Sequence, residues 1–312
     1  MPLTVLFSAS DADWDDYKDI LPNALAQVGL DAQVTRSAAD PALVDYIVYA
    51  PTGGLTDFAP FTRARAVLSL WAGVEKIVGT PSLTQPLVRM SDPEGLTAGM
   101  VEWVTGHVLR HHLGIDAHRA AKPGEWVATV PPLAKDRRVC ILGLGELGAA
   151  CAAMLTQLNF QVSGWSRRKK ELAGVACFSG ADGLGTGLRD ADIVVLLLPQ
   201  TPDTENLMNA ARLNILPRGA VIVNPGRGPL IDDEALLAAL DSGQISHATL
   251  DVFRVEPLPA DHPFWTHPNV TVTPHIASAT RAPSAARRIA KTIEMDQAGA
   301  PLPGLVDRSA GY

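Results

Sequence analysis

The chain has 312 residues, 47% of them apolar, with a formal net charge of −7 and a pI near 5.6. That length exceeds one ordinary core and suits two domains. No global basic field exists to attract nucleic acid or anionic lipid, so any anion site is local. No stretch approaches the ~18 apolar residues of a membrane span; the longest run, Ile193–Pro199, is strand-sized.

Three cysteines occur, Cys140, Cys151 and Cys177, none at metal-ligand spacing. A sparse, odd count argues against a disulfide framework and fits a reducing, cytoplasmic setting with no metal site. Cys140 lies in an apolar strand pattern and reads as a core thiol. Met1 to Ser10 lacks a basic flank and reads as a first strand rather than a signal peptide.

Short apolar, β-branched runs alternate with helical-length stretches, the signature of parallel α/β architecture. The first third predicts strands at Leu3–Phe7, Ala32–Thr35, Tyr46–Tyr49, Ala66–Leu70 and Leu87–Arg89. A long helix is expected from about Pro93 to His118, and the first domain crossing near residue 100. The division expected is 1–100 plus 281–312 for a substrate domain and 101–280 for a dinucleotide-binding domain. The alternation then restarts, with strands at Val139–Leu142, Gln161–Trp165, Asp192–Leu198, Ala220–Asn224, Ala248–Val252 and Val270–Thr273. Asp232 caps a helix that Gly243 ends, with Asp233 and Glu234 at the positive end of its dipole. A last helix is expected over Thr280–Met295.

The strand Val139–Leu142 runs into Gly143-Leu144-Gly145-Glu146-Leu147-Gly148, and a helix-friendly stretch follows. A lone GxGxxG is weak evidence, but this one sits between a strand and a helix. There Gly143 allows a tight turn, Gly145 lets the backbone approach a pyrophosphate, and Gly148 lets helix and strand pack closely. An NAD site needs an acid about 20 residues further on, for the ribose 2′-hydroxyl. The next strand instead ends Trp165-Ser166-Arg167-Arg168, with no acid before Glu171. Ser166, Arg167 and Arg168 suit a 2′-phosphate, so NADPH is expected in preference to NADH.

Three polar residues follow apolar strands, where open α/β sheets place ligands. Arg227 can fork onto a carboxylate and the adjacent ketone oxygen. His275 can protonate that oxygen as hydride reaches carbon. Glu256 can accept the other ring N–H, orient the imidazole and favour its protonated form. Together these types suit reduction of a 2-keto acid.

The order GxGxxG, then Asn224-Pro225-Gly226-Arg227-Gly228, then Leu250-Asp251-Val252-Phe253 with Glu256-Pro257, then Thr273-Pro274-His275 resembles the D-isomer-specific 2-hydroxyacid dehydrogenase family nearly end to end. Trp165-Ser166-Arg167 and the ending Val306-Asp307-Arg308 to Gly311-Tyr312 resemble its glyoxylate/hydroxypyruvate reductase A branch. The resemblance implies a Rossmann-type doubly wound cofactor domain, a flavodoxin-like α/β substrate domain and an interdomain cleft. It implies that Arg227, Glu256 and His275 form the catalytic trio, and that Asp251 holds the nicotinamide carboxamide. Leu198, Pro199 and Thr204 then line the adenosine and ribose side, and Pro225 meets the nicotinamide end. The loop through Trp71, Ala72, Gly73 and Val74 offers backbone N–H groups to the substrate carboxylate. A homodimer and small 2-keto acids, reduced to D-2-hydroxy acids, are the implied partners.

Trp71 departs from the branch, which carries a small residue there. The indole packs as core, narrows the pocket beside the carboxylate site, or stacks on an aromatic substrate such as phenylpyruvate. Other readings on the same scaffold are oxidation of phosphoglycerate, formate or phosphite, or an NAD(P)H-sensing binding protein. Glu256 argues against the formate enzymes, which use Gln there, and the short chain against the phosphoglycerate enzymes.

Overall fold

In the computed structural model, residues 2–311 are described, so Met1 and the Tyr312 of the C-terminal signature lie outside them. The chain forms two compact units: residues up to Leu96 with those from Ala279 onward, and Thr97–Ser278.

The first unit is built on five parallel strands: β1 (Leu3–Ser8), β2 (Ala32–Thr35), β3 (Tyr46–Tyr49), β4 (Ala66–Ser69) and β5 (Leu87–Val88), in the order β2-β1-β3-β4-β5. β3 and β4 are buried throughout, as strands covered on both faces must be. One face packs Phe7, Leu21, Leu25, Ile289 and Ile293 under the helices Ile20–Gln27 and Ala282–Gln297. The other packs Ile47, Phe58, Ile77 and Leu83. Each such side chain, fully buried, stabilises by about 1.5–3 kcal/mol. The tail covers the edge strand: Arg89 donates its N–H to Gly304 O, and Val306 donates to Leu87 O, which blunts an otherwise open edge.

The second unit holds seven parallel strands: β6 (Arg138–Leu142), β7 (Gln161–Ser166), β8 (Val175–Ser179), β9 (Ile193–Leu196), β10 (Ala220–Asn224), β11 (Ile245–Leu250) and β12 (Val270–Val272). Their order is β12-β11-β10-β9-β6-β7-β8. The order reverses between β6 and β9, which makes the crevice beyond their carboxyl ends the ligand-binding place of this architecture. Cys140 and Cys151 are fully buried in this unit, and burial pushes their thiols up to about 11 and about 12. Cys140 is thus a core thiol.

Beyond shifts of one or two residues at element ends, the structure differs from expectation in four places. The long helix is three pieces: a π turn Pro93–Thr97, the helix Ala98–His112 and the short helix Ile115–Ala120. Gly114, at φ +66°, breaks it, a conformation glycine adopts without the Cβ penalty. The chain crosses between units just before that helix, at 96/97, and returns at 278/279, a few residues earlier than expected. The strand β8 is half-exposed at the sheet edge, so its mixed pattern hid it. β11 begins at Ile245 and ends at Leu250, which leaves Asp251 and Val252 beyond the strand. No described helix is long and apolar enough to cross a membrane.

A polar seam joins the helix Ala98–His112 to β11 and β12. A His111 ring nitrogen pairs with Thr249 Oγ1 at 2.8 Å, and a His247 ring nitrogen with Thr271 Oγ1 at 2.9 Å. The two rings lie 4.9 Å apart, and Arg110 bridges Asp116 and Thr271 beside them. Burial is the main force pushing His111 down to about 3 and His247 to about 4. Unfolded histidine titrates near 6.5, so below that pH the unfolded chain binds the extra protons. The seam's stabilisation is therefore complete above about pH 6.5 and is lost as pH falls toward 4. Replacing His247→Gln is expected to flatten the fall of Tm between pH 6.5 and 4.5; a slope equal to the parent's removes the seam as its cause.

Candidate active site

The GxGxxG turn performs three separable tasks. Gly143 has φ +108°, and a Cβ there would overlap Leu197 O. A Cβ on Gly148 would overlap Gly143 O, so that helix packs backbone to backbone on the turn. Gly145 is different: nothing lies within 4 Å of its absent Cβ. It is the N-cap of the helix Glu146–Gln157, and no side chain caps that end. Gly145 and Glu146 are exposed there, so the first N–H groups of the helix face an open approach suited to a phosphate. Leu144 packs on β7, where a Cβ at Gly164 would sit 2.5 Å from Leu144 Cδ2. Leu147 packs half-buried against the core, and Glu146 Oε1 accepts from Thr97 Oγ1 at 3.4 Å.

Ser166 ends β7, buried, and its hydroxyl donates to Arg168 O at 2.6 Å. Arg167 and Arg168 follow it on the exposed side. Leu198 and Pro199 follow β9, and Thr204 Oγ1 closes that turn by donating to Pro199 O at 2.7 Å and accepting from Thr201 N at 2.8 Å. Buried Pro225 follows β10. The residues expected to meet a dinucleotide thus stand beyond the carboxyl ends of β6, β7, β9, β10 and β11, and the exposed, uncapped N–H end at Gly145 fits the phosphates of one.

Asn224 shapes the turn that carries Arg227. Its Nδ2 donates to Arg227 O at 3.0 Å and its Oδ1 accepts from Gly226 N at 3.1 Å. Gly226 and Gly228 tolerate no Cβ, meeting Leu196 O and the Phe253 carbonyl respectively. The Arg227 guanidinium donates back to Gly226 O at 2.7 Å.

Asp251 organises the segment carrying His275. It is fully buried, and its carboxylate accepts Thr273 Oγ1 at 2.5 Å, Ile276 N at 2.9 Å and Ala277 N at 2.8 Å. Its carbonyl accepts His275 N at 2.8 Å. His275 is thereby held at φ +54°, a region that non-glycine residues seldom occupy and that marks functional sites when the surroundings enforce it. Its Nδ1 pairs with Glu256 Oε2 at 2.7 Å, while Glu256 Oε1 accepts Phe253 N at 2.9 Å. The imidazole is 50% exposed, and its second nitrogen, Nε2, lies outside the pair with Glu256. Sequence reasoning missed these supporting roles of Asn224 and Thr273, because the contacts appear only after the strands align.

Trp71, Ala72, Gly73 and Val74 belong to the other unit, just past the carboxyl end of β4. Leu70 and Val74 are buried and Ala72 packs half-buried against the same core as Leu70. Trp71 instead is 37% exposed, with Lys76 Nζ 5.8 Å from its ring centroid. Its backbone is pinned by Ser69 Oγ, which accepts Trp71 N at 3.0 Å. The indole is therefore not core.

The family model described as the NAD-binding domain of D-isomer-specific 2-hydroxyacid dehydrogenases matches residues 106–277. A glyoxylate/hydroxypyruvate reductase A of Yersinia enterocolitica is 37% identical over 289 residues, 90% of this chain and 91% of that protein. A solved D-isomer-specific 2-hydroxyacid dehydrogenase of Xanthobacter autotrophicus, in complex with NADPH and MES, is 42% identical with a TM-score of 0.92 over 100% of both chains. An NADPH-dependent glyoxylate/hydroxypyruvate reductase of Sinorhizobium meliloti, with NADP and sulfate, is 35% identical with a TM-score of 0.86, covering 100% of this chain and 99% of that one.

The two glycines separate folding from ligand binding. Gly148→Ala is expected to lower Tm by several degrees, since about 1 kcal/mol moves Tm by about 2–4 °C in a domain of this size. Gly145→Ala is expected to leave Tm unchanged while weakening NADPH binding at least about tenfold, or ~1.4 kcal/mol. Fluorescence titration with NADPH and thermal melts of both variants check this; equal NADPH affinity in Gly145→Ala and parent contradicts the assigned approach.

Proposed function

Because this chain belongs to the D-isomer-specific 2-hydroxyacid dehydrogenases, we propose that it reduces small 2-keto acids to D-2-hydroxy acids with NADPH. The observation that carries the reading is the His275–Glu256 pair, a half-exposed ring with Nδ1 fixed to a carboxylate. Arg227, after the end of β10 in the same sheet, is proposed as the guanidinium that grips a 2-keto acid.

The cofactor, when bound, supplies the hydride. Arg227 forks onto the carboxylate and ketone oxygens, which fixes the substrate and polarises the ketone. His275 gives the proton on Nε2 to that oxygen as it becomes an alkoxide. Glu256 keeps the ring in the right orientation and supports the charge that precedes proton release. Backbone N–H groups of Ala72, Gly73 and Val74 are the proposed donors to the carboxylate. Helix N–H groups at 145–148 hold the pyrophosphate, and Leu198, Pro199, Thr204 and Pro225 line the rest of the dinucleotide. Asp251 is proposed for the nicotinamide carboxamide, a contact that requires its carboxylate, fully buried on three internal donors, to be uncovered when the cofactor enters. Ser166, Arg167 and Arg168, with no acid among them, hold the 2′-phosphate and set NADPH above NADH. Relatives that bind NADPH or NADP support this.

Glyoxylate and hydroxypyruvate are the substrates named for relatives, and both fit the trio. The outward indole of Trp71 extends the range to aryl 2-keto acids such as phenylpyruvate, by stacking. A homodimer is proposed on the exposed apolar arm Trp126, Val127, Val130 and Leu133, with Trp126 93% and Val130 88% exposed. Patches of that kind mark association surfaces; a solution mass of one 33.1 kDa chain contradicts it. A cytoplasmic location is proposed, supported by the free state of Cys140, Cys151 and Cys177, and fractionation to another compartment overturns that.

Replacing His275→Ala is expected to cut kcat by at least about a hundredfold while NADPH affinity stays within about twofold of the parent's. Stopped-flow turnover with glyoxylate measures the first and fluorescence titration the second; retained kcat removes His275 as proton donor. Trp71→Gly is expected to lower kcat/KM for phenylpyruvate about tenfold relative to glyoxylate, a loss of ~1.4 kcal/mol near the stacking range. An unchanged substrate ranking means that the indole does not set specificity.

A further inference from the structure

Arg254 lies two residues before Glu256, and the chemistry above does not use it. Its side chain is 30% exposed. One terminal nitrogen donates both to Asn206 Oδ1 and to Ile231 O, the latter at 2.5 Å. The other guanidinium nitrogens face Glu205 Oε1 and Asp233 Oδ2, each at 3.6 Å. These partners come from two separate loops. Glu205 and Asn206 belong to the turn that carries Thr204, after β9. Ile231 and Asp233 belong to the segment that leaves Arg227, after β10.

The backbone ties the same segments together. Asn206 donates its N–H to Pro229 O at 2.8 Å, and Met208 donates to Leu230 O at 2.9 Å. Asn206 is held at φ +50° in doing so. Gly228 presses on the Phe253 carbonyl so closely that no side chain fits between them, and Phe253 N is itself held by Glu256 Oε1. The loops after β9, β10 and β11 thus converge on one guanidinium.

We infer that Arg254 is a positioning residue, which locks the Glu256 turn onto the loops carrying Thr204 and Arg227 so that Glu256 stays on His275 Nδ1. The kinetic consequence rests on the reductase reading; the geometric one does not. An isolated ion pair at 3.6 Å on a partly exposed side chain contributes little. Four partners spread over the three nitrogens of one planar guanidinium are a different device, because they span two loops at once, and the single nitrogen of a lysine ammonium does not reach all of them.

The test uses the full chain carrying Arg254→Ala, Arg254→Lys or Arg254→Gln, the last retaining a hydrogen-bond donor should the alanine form fail to fold. Nitrogen-15 spectra of the His275 ring report which nitrogen carries the proton in the neutral form. The parent is expected to show the Nδ1–H form that Glu256 selects, and the alanine and lysine forms a mixture with Nε2–H. NADPH dissociation constants are expected to rise about fivefold through the Thr204 loop. With a keto acid, kcat is expected to fall about tenfold with substrate KM little changed. In a Glu256→Gln background, Arg254→Ala is expected to add no further loss in kcat, since both act on one contact. Ring spectra and NADPH affinity equal to the parent's, with or without a lower Tm, overturn the inference and leave Arg254 a surface ion pair. The spectra need no turnover, so a parent that turns over no keto acid refutes the reductase reading while the spectra still decide the role of Arg254.

Discussion

The carboxylate of Asp251 is the contact on which the rest of the site depends. It is buried completely and accepts three hydrogen bonds, from Thr273 Oγ1, Ile276 N and Ala277 N. A buried carboxylate is tolerated only when so satisfied. Each donor left without it would cost about 1–3 kcal/mol. That requirement fixes the path from 273 to 277 and places His275 in a left-handed conformation it would not otherwise keep. Asn224 does the same for the turn of Arg227 with an amide side chain. Both organisers stand where β10 and β11 end, side by side in the sheet, since Asn224 pairs with Leu250 in register. The side chains proposed for catalysis are thus loop residues whose positions are set by strand ends.

The dinucleotide turn follows a different physical rule, exclusion of side chains rather than satisfaction of charge. Gly143 and Gly148 are forced by backbone contact, so they define the turn even without ligand. Gly145 alone faces open space, at a helix start whose N–H groups no side chain caps. With a net charge of −7, any attraction of a polyanion has to be local, and this arrangement of N–H groups, with Arg167 and Arg168 beyond β7, is the one proposed for it.

Much of this was legible in the sequence because it is local. The parallel α/β class, most strands and the glycine turn follow from short patterns, and the proposed trio stands out as residues just past apolar runs, two of which, Glu256 and His275, the structure brings into contact. What was not legible depends on distance along the chain. Asp251 meets Thr273, Ile276 and Ala277 across more than twenty residues, and no spacing rule announces that. The partners of Arg254, at 205, 206, 231 and 233, are likewise distant in the chain, and no local pattern brings them together. The edge strand β8 escaped because one exposed side dilutes its apolar pattern. Gly114 broke a helix that periodicity alone carried through. Trp71 could be read as core or as surface from sequence; its neighbours Leu70 and Val74 took the core, and the indole was left outside.

The most direct measurement is the oxidation of NADPH and of NADH by the purified protein across glyoxylate, hydroxypyruvate, pyruvate and phenylpyruvate. The account predicts NADPH-linked turnover faster than NADH-linked turnover, with a D-2-hydroxy acid as product. Tight NADPH binding without turnover of any of the four would contradict it, and would make the protein a sensor on this scaffold rather than a reductase.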